Sequence, residues 1–142
     1  MVSVFDLAAY ILSKAGEMTA MKMQKLLYYC QAWSLVWDER AMFDSRFEAW
    51  ANGPVAPEYF QAHRGGYVVS AEPKGNAKAV RGAVKETVDA ILKAYGDKDP
   101  QWLSDRTHRE EPWIKARKGL ADGERGSREI TYSSMIDYYG KL

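Results

Sequence analysis

Apolar residues recur every three or four positions at the start of the chain, at Val4, Leu7, Ala8, Ile11 and Leu12, the spacing of one face of an α-helix. Ser3 stands where an N-cap belongs, and Asp6 follows in the first turn, where a carboxylate favours the helix dipole. Gly16 supplies a stop, so the pattern predicts a helix over Val4–Ala15. Thr19 caps a second, longer helix over Ala20–Trp37. There Met23, Leu26, Leu27, Cys30, Trp33 and Trp37 form one stripe, and Tyr28, Ala32, Leu35 and Val36 form another on the far side. Only Lys22, Gln24, Lys25 and Gln31 interrupt the circumference. A helix apolar nearly all round belongs in the interior, so this segment is expected to be the buried centre of the molecule.

Shorter elements follow. Residues 41–50, AMFDSRFEAW, place two apolar pieces around Asp44-Ser45-Arg46 and predict a small hairpin. Gly53-Pro54 should end any regular element, and Pro57 fits the first turn of a helix running to about His63. Gly65-Gly66 stops it, and Tyr67-Val68-Val69 suits a short strand before a Pro73/Gly75 loop. A two-faced helix is expected from Asn76 to Tyr95, with Val80, Val84, Val88 and Ile91 inward and Arg81, Lys85, Asp89 and Lys93 outward. Asp99-Pro100 opens another helix to about Arg106, Pro112 starts a short one through Lys118, and residues 120–129 read as a polar loop. Ser133 or Ser134 caps a last helix ending near Tyr139. The expected fold class is mainly α: residues 1–142 as a single compact helical domain around a buried central helix, with a small antiparallel β element.

Composition narrows the function more than the fold. The 142 residues are 46% hydrophobic and 27% charged, with five Trp, nine Tyr and a net charge of +1. That balance lacks the basic excess of a dedicated nucleic-acid binder. The mixed charges between Arg106 and Arg128 read first as a solvated face. A DNA contact there is the least favoured reading, because no helix-turn-helix with a basic recognition helix is discernible. One cysteine, Cys30, excludes an internal disulfide and zinc-type cysteine spacing. The N-terminus has no basic stretch ahead of its apolar residues, as a signal peptide would. No run approaches the roughly 18–20 apolar residues that cross a bilayer. A cytoplasmic protein without cofactor is expected.

The richest chemistry lies in DRTHREEPW, residues 105–113. Asp105, His108, Glu110 and Glu111 invite a base-and-carboxylate reading, but a catalytic base needs a nucleophile, and the one cysteine is expected inside the central helix. Two histidines, His63 and His108, lack the local spacing of a metal motif. The simpler expectation is architectural: Thr107 and His108 satisfy backbone groups at the helix end, and Trp113 anchors the next helix. NGPV at 52–55 offers few free amides for a phosphate and reads better as a rigid turn.

Four segments taken together, KMQKLLYYCQAW (22–33), AMFDSRFEAWANGPVAPEYF (41–60), LSDRTHREEPWIKAR (103–117) and ITYSSMIDYY (130–139), resemble the Panacea domain, also called the SocA-like or GepA-like phage-associated antitoxin family. The resemblance runs from the first helix to the C-terminus and departs at 65–79, an insert-like loop with no clear motif. Its motif positions are Lys25-Leu26, Tyr28, Ala49-Trp50, Gly53-Pro54-Val55, Tyr59, Thr107-His108 and Pro112-Trp113, several of which physical reading assigns to the fold. What the resemblance implies is an antitoxin of a toxin–antitoxin system, encoded beside a small toxin on a prophage or mobile element. Such proteins neutralise the toxin by direct protein–protein binding, and some of the toxins resemble alarmone synthetases.

The expected partner is therefore a cognate protein toxin, with neither membrane nor nucleic acid involved. Two alternatives stay open: a proteolytic adaptor, whose second partner would be a protease, and a His108-dependent enzyme. A surplus of aromatic residues that a core accommodates poorly should supply the interface. Tyr59, Phe60 and Tyr67 are the candidate partner-binding residues, with Tyr138-Tyr139 as a further surface pair.

Overall fold

The computed structural model describes all of residues 1–142. Seven helices and five short strands alternate along the chain: α1 (Val4–Ala15), β1 (Met18–Thr19), α2 (Ala20–Trp37), β2 (Phe47–Trp50), β3 (Gly53–Val55), α3 (Pro57–Ala62), β4 (Val68–Val69), α4 (Gly82–Tyr95), α5 (Pro100–His108), α6 (Glu111–Ala116), β5 (Glu129–Ile130) and α7 (Tyr132–Tyr139). The fold is mainly helical with two small antiparallel sheets, as the sequence pattern led one to expect. β1 pairs with β4, and β2 lies between β3 and β5.

Both N-terminal helices start where their caps place them. Ser3 and Asp6 form a reciprocal capping box, and the Thr19 hydroxyl accepts from the Lys22 N–H. α2 is the axis of the molecule, packed by α1, α4, α5, α7 and β3. Met23, Leu26, Leu27, Cys30 and Ala32 lie in one continuous core with Leu7, Ile11, Phe43, Phe47, Val88, Leu103 and Met135. The stripe does not stay buried to its end. Trp33 is half-buried, and Trp37, 51% exposed, leans on it with ring centroids 4.9 Å apart.

The polar positions of α2 explain where the sequence pattern misleads. Gln24, Lys25 and Gln31 are all buried. Gln31 accepts from the Met42 N–H (2.8 Å) and donates to the Phe43 carbonyl (2.8 Å), and Gln24 makes the same two bonds with Ala56 (2.8 and 3.2 Å). Each amide side chain thus plays the part of a neighbouring strand for buried backbone. The expected hairpin within 41–50 is absent, and at Met42 and Phe43 the backbone groups a strand partner would have met are bonded by Gln31 instead. The hairpin lies one element later: Ala49 faces Pro54 and Trp50 faces Gly53 across a turn at Ala51-Asn52, so Gly53-Pro54 continues the sheet where an interruption was expected.

Several boundaries also move. Asn76 caps only a 3-10 turn at Ala77–Ala79, and α4 starts at Gly82, whose φ of +63° breaks the continuity expected from Asn76. α6 begins at Glu111, one residue before Pro112, and ends at Ala116. Thr131, not Ser133 or Ser134, caps α7 by accepting from the Ser134 N–H. The polar loop expected to 129 gives up its end to β5, where Phe47 faces Ile130.

Candidate functional site

The β2–β3 turn gathers the sequence motifs into one place. Four consecutive carbonyls there receive hydrogen bonds from side chains on the α5–α6 segment. Arg117 Nη1 donates to Ala49 (3.0 Å), Trp113 Nε1 to Trp50 (2.8 Å) and Ser104 Oγ to Asn52 (2.9 Å), and His108 Nε2 faces Ala51 at 3.0 Å. The donors come as pairs four residues apart, Ser104/His108 on α5 and Trp113/Arg117 at the end of α6, so each pair shares one helix side. Pro112 sits in the first turn of α6 and is buried, which fixes the approach of Trp113. Ser104 and Arg117 escaped sequence reading, although the four-residue spacing to His108 and Trp113 was there to be noticed.

His108 is thereby placed as a strut. Its Nδ1 faces the Ser104 carbonyl at 2.6 Å, and its ring packs on Trp113 with centroids 4.0 Å apart. The surrounding acids point elsewhere. Asp105 accepts from Gln101 on the surface, and Glu111 reaches Lys115 at 3.4 Å. Glu110, 2% exposed, turns inward and accepts from the hydroxyls of Tyr29 (2.7 Å) and Tyr139 (2.8 Å), with Arg106 Nε at 3.3 Å. The structure thus separates the four residues that sequence proximity suggested as one constellation. No group of three or more His, Cys, Asp or Glu is arranged to hold a metal ion. Burial raises the Cys30 thiol well above its ordinary value, which leaves it protonated and a poor nucleophile.

The KL and GPV motifs meet on the other side of the turn. Leu26 and Tyr28 belong to the core. Lys25 runs its stem under Gly53, where a Cβ would come within 2.5 Å of Lys25 Cε and 3.1 Å of Thr107 Oγ1. Gly53 also has φ +121°, so both space and backbone geometry require glycine there. Thr107 itself donates to the Ser104 carbonyl at 2.8 Å. Lys25 is 1% exposed, and its ammonium makes one hydrogen bond, to the Pro54 carbonyl at 3.3 Å. Burial lowers its amine to about 7.

Beside Lys25 opens a cavity of about 800 Å³, bounded by α2, α3, the β2–β3 turn and residues 123–127. Trp50, Val55, Tyr59, Phe60 and His63 contribute to its wall. Of the aromatic residues expected at a partner surface, Tyr59 is 1% exposed and is a core residue bordering this cavity. Phe60 stands at the rim with its ring centroid 4.9 Å from that of Trp50. Tyr67 is 78% exposed, next to β4. Of the pair expected at the C-terminus, Tyr139 is buried against Tyr28 and Tyr29, and Tyr138 is half-buried. The 65–79 segment is tied down at several points. His63 Nε2 meets the Glu72 carboxylate at 2.5 Å, the Asn76 N–H donates to Asp6 at 2.8 Å, and Gly75 lies against the Phe5 backbone.

Among known proteins, a family model described as antitoxin SocA-like, Panacea domain, matches residues 23–114. The matched stretch contains every motif position from Lys25 to Trp113 and stops short of α7, so the likeness expected at 130–139 lies outside it. No curated protein and no solved structure matches the chain. No helix is long and apolar enough to cross a membrane.

Proposed function

The chain belongs to the SocA-like antitoxin family with its Panacea domain, and on that premise we propose that it neutralises a cognate protein toxin by binding it directly, without catalysis. Residues 1–142 act as one binding unit in this reading, in the cytoplasm, and the contact needs no cofactor. The observation that carries it is the family match over residues 23–114, the stretch that contains the β2–β3 turn and most of the lining of the cavity beside it. Family membership supports an antitoxin role and a toxin as partner. The geometry adds that His108, the most enzyme-like residue of the sequence, has both ring nitrogens facing backbone carbonyls and no nucleophile beside it.

The experiment is co-expression with the small protein encoded next to the gene. Restored growth of cells poisoned by that protein, together with a stable complex of the two purified chains, supports direct neutralisation. Rescue that disappears in cells lacking a protease, with no complex between purified chains, points instead to an adaptor. A folded His108→Ala variant that binds the toxin but no longer rescues would favour an enzyme.

A further inference from the structure

The cavity beside α2 holds polar groups that the protein itself does not satisfy. Its lining includes three basic side chains, Lys25, His63 and Arg125, and no Asp or Glu, and of the three His63 is already turned to the Glu72 carboxylate. Lys25 takes part in none of the ion pairs of the molecule and has a single long hydrogen bond for three donors. The Tyr59 hydroxyl is buried and makes no hydrogen bond of good geometry, although the Glu72 carboxylate beside it, after burial, raises its proton affinity. Buried donors are almost always satisfied in folded proteins, and two unsatisfied groups bordering one cavity mark a place where a ligand completes the set. Lys25 donates only, so the missing group is an acceptor. Ala20, Met21, Val55 and Phe60 add hydrocarbon to the walls, and the anion that a protein partner brings to such a place is a carboxylate.

We propose that this cavity receives an acidic side chain of the partner protein, Asp or Glu flanked by an apolar residue, with Lys25 and Tyr59 as the groups that bind its carboxylate. The proposal rests on the antitoxin reading for the identity of the partner. Met21 and Phe60 rim the cavity and Tyr67 stands exposed beyond Met21. This is the arrangement that shields a buried charge pair from water in a protein interface. Because burial holds the Lys25 amine at about 7 in the free protein, seating a carboxylate against it draws a proton onto the amine. Binding above neutral pH is therefore accompanied by proton uptake.

The test has two arms. In the first, 3-phenylpropionate and 3-phenylpropionamide are titrated against the intact chain by calorimetry at pH 8, in buffers of different ionisation enthalpy. The expected result is binding of the carboxylate at least tenfold tighter than the amide, with proton uptake. Lys25→Met should abolish that preference, and Tyr59→Phe, which removes one hydroxyl, should weaken carboxylate binding severalfold. Equal binding of acid and amide, or no binding of either, overturns the proposal. In the second arm the folded Lys25→Met and Tyr59→Phe variants, checked by thermal melts, are assayed for rescue from the neighbouring small protein. Loss of rescue by Lys25→Met supports the seat for a partner carboxylate. Undiminished rescue by Lys25→Met overturns that seat while leaving the antitoxin reading intact. Failure of the wild-type chain to rescue removes the antitoxin reading and, with it, the partner role of the cavity, whereas the calorimetry still decides its carboxylate chemistry.

Discussion

Glu110 and Lys25 are both charged residues taken almost wholly out of water, at 2% and 1% exposure, and their surroundings are opposite. Glu110 accepts from two tyrosine hydroxyls and an arginine, and those tyrosines pack edge-on to each other and to Tyr28. Lys25 has one long bond to a carbonyl and an open cavity at its side. A buried charge that the fold surrounds with partners stabilises the fold, because removing it leaves those partners orphaned. A buried charge that the fold leaves short of partners costs stability and stays available to something outside. The two sites separate what holds this protein together from what it has to offer.

The largest expected effect falls on the satisfied site. Glu110→Leu should lower stability by about 3–5 kcal/mol, because the Tyr29 and Tyr139 hydroxyls lose their acceptor in the core; urea unfolding reads this, and a loss below about 1 kcal/mol would erase the contrast. Next comes Gly53→Ala, expected to cost roughly 2–3 kcal/mol from positive φ together with the collision on Lys25. Adding Lys25→Ala should return part of that loss in a double-mutant cycle, since only the collision is relieved.

At the unsatisfied site the effect appears in the pH dependence. In the unfolded chain the Lys25 amine keeps its proton to about its ordinary value of 10.5, and in the fold it gives it up near 7. Between those values the unfolded state holds more protons, so the folded state gains stability as the pH rises. Wild type should therefore gain about 2 kcal/mol between pH 7 and 9 relative to Lys25→Met. Unfolding at the two pH values measures it, and parallel curves would show that the ammonium is already well compensated. At pH 7, where the cost of burying the amine is larger than at pH 9, Lys25→Met should raise stability by about 1–4 kcal/mol.

Smaller shifts complete the series. His108→Ala removes one strut from the turn and should lower stability by about 1–1.5 kcal/mol, or roughly 5 °C in Tm for a chain of this size. Cys30, protonated and enclosed in α2, should react with a thiol reagent only after denaturation. Rapid labelling of native protein would contradict the placement of α2 as the axis.

The helices with side-chain caps and clean periodicity were legible from sequence: the bounds expected for α1 and α2 are those observed. Legibility failed where a polar side chain does backbone work. Gln24 and Gln31 read as interruptions of an apolar surface, yet they stand in for strand partners at Ala56 and at Met42-Phe43, and the hairpin lies between those points. Thr131 was passed over as a cap because two serines followed it. Lys25 was recognisable as a motif position, but nothing in its own helix announces burial; the signal lies 28 residues on, in the glycine that makes room for its stem. Tyr59 misled in the opposite sense, since a tyrosine just after a turn suggests a surface and this one faces the core with its hydroxyl unpaired.

The four pinned carbonyls of the β2–β3 turn also impose an order of events. Residues 49–52 leave the ribosome more than fifty residues before the side chains that hold them, the last of which is Arg117. Until then the turn has only its short ladder to Glu48–Trp50 and the support of α2. Pairings so distant in sequence close late and make folding slow relative to local helix formation. A nascent chain interrupted between α4 and α5 would display Trp50 without the carbonyl contact made by Trp113, and the wall of the cavity would be unfinished. The cavity proposed to receive a partner is thus among the last parts of the molecule to come into being.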